Sequence, residues 1–184
     1  MQQIAAASPS FKARIAGFFY LLTFLLGIFS LVFVRGALIA NLIASACYVV
    51  VTILFYDLFK PVNSQLSLIA ALFSFAGCAI GVLGAFHFAP FHLSSLPFFG
   101  IYCVSIGYLI LKSTFLPRIL GVLMALGGVG WLTFLFPLLA KPLDPYNLAP
   151  GILGEGVLTV WLLVAGVNVE KWKEREKAMG FGAN

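Results

Sequence analysis

The chain has 184 residues, 62% of them hydrophobic and 9% charged. A soluble domain carries roughly 25% charged residues, so this composition excludes a water-soluble globule. The formal net charge of +5 comes from residues at the ends of apolar runs rather than from one patch, and nucleic acid is not an expected partner.

Apolar runs of about 20 residues recur along the chain, the length that an α-helix needs to cross a bilayer. The alternation of a membrane β-barrel is absent, and backbone polar groups in lipid must be satisfied within their own segment, so the runs must be helices. The expected fold class is therefore an all-α membrane protein, a six-transmembrane-helix bundle forming one integral membrane domain over 1–184.

In chain order, Lys12 and Arg14 precede the first run, 15–34. The pattern imitates a signal peptide, but the run is too long and no small-x-small cleavage site ends it, so it is read as an uncleaved first span. The second run, 38–59, opens near Asn41 and closes on Asp57, which stands three residues before Lys60 at helical pairing distance. Pro61 then stops the helix. The third run, 66–88, contains Gly77-x-x-x-Gly81 among other small residues, a spacing that lets helices approach closely in lipid and suggests a central helix.

His87 and His92 bracket Pro90 ahead of the fourth run, 93–111. The fifth, 119–139, carries Gly121, Gly127, Gly128 and Gly130, a second close-packing surface. A proline-punctuated loop leads to the sixth, 148–169, after which 170–184 reads as a charged cytoplasmic helix end with Trp172 as a headgroup anchor. Cys47, Cys78 and Cys103 all fall inside apolar runs with no metal or redox spacing, and read as small buried hydrophobes.

Orientation follows from the loops. Lys12, Arg14, Lys60, Lys112, Arg118, Lys171, Lys173, Arg175 and Lys177 fall on one side, and Arg35 and Lys141 on the other. The positive-inside rule then places both termini in the cytoplasm. Residues 11–17 and 115–121 share Phe-x-x-Arg-Ile-x-Gly, either a degenerate parallel repeat or one kind of helix start used twice.

The chemistry centres on Glu155, flanked by Gly154 and Gly156, the acidic residue that lies well inside a span. An intramembrane carboxylate is costly and marks a site until a partner is found. The expected partners are His87, His92 or Tyr102, with Asn41 also at the same end of the bundle. A two-His, one-carboxylate metal site would need His87 and His92 to converge on Glu155, although Pro90 breaks any helix between them. The alternative is a structural Glu155, protonated or hydrogen-bonded within the bundle. Motifs for nucleophilic catalysis are absent, so no catalytic residue is assigned.

The segments ARIAGFFYL (13–21), KPVN (60–63), GYLILKSTFLPRILG (107–121) and GEGVLTVWLLVAGVN (154–168) resemble a bacterial family of multi-spanning membrane proteins, the domain-of-unknown-function family numbered 4386. The likeness extends from about Lys12 to Asn168, and LPRILG and the Gly-Glu pair are its most specific parts. Relatives tend to carry an Arg within Phe-Arg-Leu in the third span. Here Phe73-Ser74-Phe75 has Ser74, so an ion pair from that position to Glu155 is not available.

The resemblance implies a multi-pass protein of the bacterial inner membrane and supplies no activity. The expected function is a non-catalytic structural, accessory or small-ligand-binding membrane subunit, in contact with lipid and with room for homo-oligomers, partner subunits or a hydrophobic small ligand. The alternatives are a small-solute transporter or channel using Glu155, and a metal- or cofactor-binding enzyme using His87, His92 and Glu155; no cofactor is specified.

Overall fold

The computed structural model describes residues 8–86 and 94–180, which are helical with no strand. The principal helices are α1 (Pro9–Val32), α2 (Ala37–Phe59), α3 (Ser64–Ala85), α4 (Leu96–Lys112), α5 (Arg118–Leu132), α6 (Pro137–Leu143), α7 (Ala149–Val164) and α8 (Val169–Ala178). Their ends follow local chemistry. Ser8 and Asn63 each accept a bond from the third residue of the following helix, Phe11 N–H at 3.3 Å and Leu66 N–H at 2.9 Å, and prolines open α1, α4 and α7 where no N–H is required.

Five stretches are long and apolar enough to cross a membrane: Pro9–Ser30, Ala37–Phe59, Ser64–Ala85, Arg118–Leu135 and Tyr146–Val164. The apolar α4 is shorter, with 17 residues. Large apolar side chains such as Leu25, Ile39, Ile53, Leu72, Leu126 and Val160 cover the outside of the bundle. Such a surface is suited to lipid, and the chain is a multi-pass membrane protein by its apolar helices and their exterior.

The six long helices form a closed ring. Each of α1 to α4 packs against the next, α5 packs on α7, and α7 closes on α1. The ends holding Pro9 and Val164 lie together, and the opposite ends gather Val32, Ala85 and Ala149.

Apolar burial gives no net drive between helices already in lipid, so van der Waals fit decides where they meet. One tight seam is α4 against α5. A Cβ at Gly107 would lie 2.7 Å from the Gly121 carbonyl oxygen, and one at Gly128 would lie 2.6 Å from the Gly100 carbonyl oxygen. These glycines are seven residues apart on each helix and face one another in antiparallel register. The α5–α7 seam is similar, with the Leu123 carbonyl oxygen 2.5 Å from a Cβ at Gly154.

The Gly77–Gly81 pair expected to make α3 a central helix behaves differently. A Cβ at Gly77 would meet the Phe99 ring at 3.1 Å, and among the described residues Gly81 has only Ser95 within 4 Å, at 3.8 Å. These glycines therefore leave space beside a side chain instead of joining two backbones.

Hydropathy overran two helix ends. The fifth run ends its α-helix at Leu132 and continues as a 3-10 turn (Thr133–Leu135) and the short α6. The sixth breaks after Val164, because Gly166 takes a left-handed conformation at φ 65°, and Asn168 caps a new helix by accepting from Lys171 N–H at 3.0 Å. The break turns Trp172 inward. Expected at the headgroups, its indole is instead buried and donates to the Leu58 carbonyl at 2.8 Å, sealing the end of the core where the termini lie. Asp57 is paired with Lys12, which ties α1 to α2.

Candidate functional site

Glu155 points into the ring from the middle of α7 and is 7% exposed. Its Oε2 accepts the Tyr20 hydroxyl from α1 at 2.7 Å, while Oε1 accepts the Trp131 indole N–H from α5 at 2.8 Å and the Cys103 thiol from α4 at 3.4 Å. The Tyr20 and Tyr48 hydroxyls lie 3.2 Å apart, which brings in α2. Five helices of the ring therefore meet on one hydrogen-bonded group. A buried polar group is tolerable when satisfied in this way.

The local sequence makes room for this group. Gly151 lies one turn before Glu155 on the same face of α7, and a Cβ there would overlap the Trp131 indole, with Nε1 only 2.6 Å away. The missing side chain is what lets the indole slide across α7 and reach the carboxylate. Around the cluster, Tyr48 packs edge-on against Tyr20, Phe99 and Tyr102, with ring centroids 5.4, 4.8 and 5.8 Å away. Tyr102 is fully buried beside this group, and its hydroxyl has no hydrogen-bond partner among the described residues.

Tyr48 also lines a cleft of about 390 Å³ between α1, α2, α3 and α4. Polar groups reach the cleft from Thr23, Asn41, Ser45 and Ser95; Phe99 and Cys78 supply apolar wall, and Gly77 and Gly81 leave its α3 side open. On the other side of Glu155, toward the termini, the ring is filled by Leu54, Phe55, Leu58, Leu109, Leu158 and Leu162, all buried. The polar cluster thus separates a half with a cleft from a half packed solid.

Of the residues singled out from sequence, Glu155 is buried at the centre, Tyr102 is beside it without bonding to it, and Asn41 is exposed at the cleft. His87 and His92 lie outside the described residues. Among the described residues no three His, Cys, Asp or Glu side chains gather where a metal could sit. Ser74 is buried with its hydroxyl 2.6 Å from that of Thr52.

Sequence reasoning missed Tyr20 and Tyr48 as partners, and it read Cys103 only as a small hydrophobe. A signal for the tyrosines exists. Each stands near the middle of a long apolar helix, whereas membrane tyrosines are enriched at the interfaces, and a buried phenol needs a partner.

An uncharacterised protein of Archaeoglobus fulgidus is 29% identical over 127 residues, covering 64% of this chain and 76% of its own length. No solved structure matches the chain. The family described as "Domain of unknown function (DUF4386)" matches residues 33–95 and 85–166, a stretch running from the end of α1 through α7, and the chain belongs to that family.

Proposed function

We propose that this protein is a six-span inner-membrane protein with both termini in the cytoplasm, acting as a non-catalytic small-ligand-binding subunit. The ligand occupies the cleft floored by Tyr48. The observation that carries this reading is that Tyr48 both lines the cleft and, through the Tyr20 hydroxyl, joins the hydrogen-bonded group on Glu155. Occupation of the cleft can thereby be felt at the junction of five helices. The six-span count is supported by α4, whose 17 residues reach about 25 Å at 1.5 Å per residue and which fills the ring between α3 and α5.

A transporter using Glu155 would need a polar route onward toward the termini. The leucine and phenylalanine packing on that side of Glu155 favours a site reached from one side.

Native mass spectrometry of protein extracted gently from its own membrane tests the reading. A defined small molecule should be retained on the native chain and lost from Ser45→Phe, which fills the cleft. A bare chain in both cases overturns it. For orientation, a membrane-impermeant thiol reagent outside intact cells should label Tyr146→Cys and spare Lys177→Cys; the reverse pattern sinks the proposed topology.

A further inference from the structure

The cleft is not closed toward the lipid. A second hollow, a groove of about 590 Å³ on the outer face of α2 and α3, shares Ser45 and Cys78 with it. Apart from those two residues the groove is lined by apolar side chains, among them Leu42, Ala46, Val49, Phe75, Ala79 and Val82. Ala46 and Ala79 are exposed there, so methyl groups stand where larger side chains would close the gap. Two other seams of the ring are shut: α4 and α5 touch backbone to backbone at their glycines, as do α5 and α7.

We infer that the ligand is a single-chain amphiphile drawn sideways from the bilayer, with an uncharged hydroxyl- or carbonyl-bearing head in the cleft and its hydrocarbon tail in the α2–α3 groove. The inference rests on the ligand-binding reading above and specifies its ligand. Two features of the walls select this chemistry. The cleft offers hydroxyls and one carboxamide from Thr23, Asn41, Ser45, Tyr48 and Ser95, with no Lys, Arg, Asp, Glu or His among its described lining residues. Among the described lining residues a phosphate, carboxylate or ammonium head would meet no counter-charge, whereas a hydroxyl or carbonyl would meet donors and acceptors of its own kind. Among its described lining residues the groove offers no hydrogen-bonding side chain beyond the shared Ser45 and Cys78, as a hydrocarbon tail requires.

The two hollows differ in polarity and meet at Ser45 and Cys78, so the head-to-tail junction of the ligand falls there. Gly77 and Gly81 take part by omission, since they bring the α3 backbone to the cleft with no side chain across it.

The test uses the full chain in phosphatidylcholine nanodiscs and hexadecanol carrying a mid-chain diazirine. On illumination, crosslinks should map to residues 42–49 and 75–83 and be competed by unlabelled hexadecanol, but not by hexadecane or palmitate. Ala79→Phe and Ala46→Phe add bulk at exposed positions. Each should reduce that labelling about tenfold, the loss expected when the burial of about two methylenes is denied. Labelling along 152–164, an ordinary lipid-facing surface, should be unchanged, which also reports that the variants fold.

Equal, uncompeted labelling of both faces, insensitive to either substitution, would mean bulk lipid contact and overturn the inference. The outcomes also separate it from the broader reading. A molecule lost from Ser45→Phe but retained by Ala79→Phe and Ala46→Phe alike would leave the cleft as a binding site and remove the lateral tail.

Discussion

The α4–α5 seam and the α2–α3 seam are both rich in small residues, yet they do opposite things. At α4–α5 the glycines at 100, 107, 121 and 128 face each other and bring carbonyl oxygens within 3.0 Å of where a Cβ would stand. At α2–α3 the small residues Ser45, Ala46, Cys78 and Ala79 line a groove, and Gly81 of α3 lies beside a cleft. Small residues close a helix pair only when they oppose one another in register; out of register, or opposite a void, they leave room. The glycine count therefore does not separate a weld from an opening.

The largest expected effect belongs to the welded seam. Gly128→Leu would drive a side chain into the Gly100 carbonyl oxygen and Val104, and overpacking of this kind costs about 1–3 kcal/mol or more. Folded yield after detergent extraction should fall sharply and the thermal midpoint should drop. Gly84→Leu, with nothing among the described residues within 4 Å of its Cβ position, is the matched control and should extract like the native chain. Equal behaviour of the two would break the distinction between weld and opening.

Next comes the group on Glu155, where the two sides of the ring meet. Gly151→Ala should push the Trp131 indole off α7 and break its bond to Oε1, with a loss of about 1–3 kcal/mol as a buried acceptor forfeits its donor. Fluorescence resolves the event when Trp161 and Trp172 are replaced by Phe, because the remaining indole should shift in emission. An unchanged spectrum would mean that the indole does not need the space at 151. Tyr20→Phe removes one donor from the carboxylate and should destabilise by about 0.6–1.7 kcal/mol, the range for hydrogen bonds between membrane helices. Combined with Glu155→Gln in a double-mutant cycle, it should be non-additive, and simple additivity would mean that the two groups are energetically independent.

How much of this could be read from the chain follows from the same physics. Glu155 stood out because a charge in an apolar run has few innocent explanations, and the helices stood out because lipid permits little else. The ends at Leu132 and Val164 were hidden, since Phe134, Leu135, Val167 and Val169 keep the hydropathy high after the backbone has turned; only Gly166 and Asn168 marked the second break. The seven-residue spacing of Gly100 with Gly107 and of Gly121 with Gly128 was visible in sequence. Its meaning depended on which helices are neighbours, and nothing local encodes that. For Tyr20 and Tyr48, the depth of a phenol within its span was the available clue. The partnership of Lys12 with Asp57, across 45 residues, had none.

The smallest effect bears most directly on the motif that sequence alone misjudges. Gly-x-x-x-Gly at 77–81 reads as a dimer-like packing face, which would make both glycines intolerant of a side chain. The structure separates them. Gly77→Ala places a methyl 3.1 Å from the Phe99 ring, so the ring must give way and stability should fall modestly. Among the described residues Gly81→Ala meets only Ser95, at an ordinary contact distance of 3.8 Å. There the helix gains what alanine gains over glycine, about 0.5–1 kcal/mol in an ordinary helix interior. Thermal melts of the two variants in one detergent should therefore move in opposite directions. A fall in both would mean that α3 uses this face to meet another helix, and the cleft beside it would then be a seam left unfilled in the isolated chain.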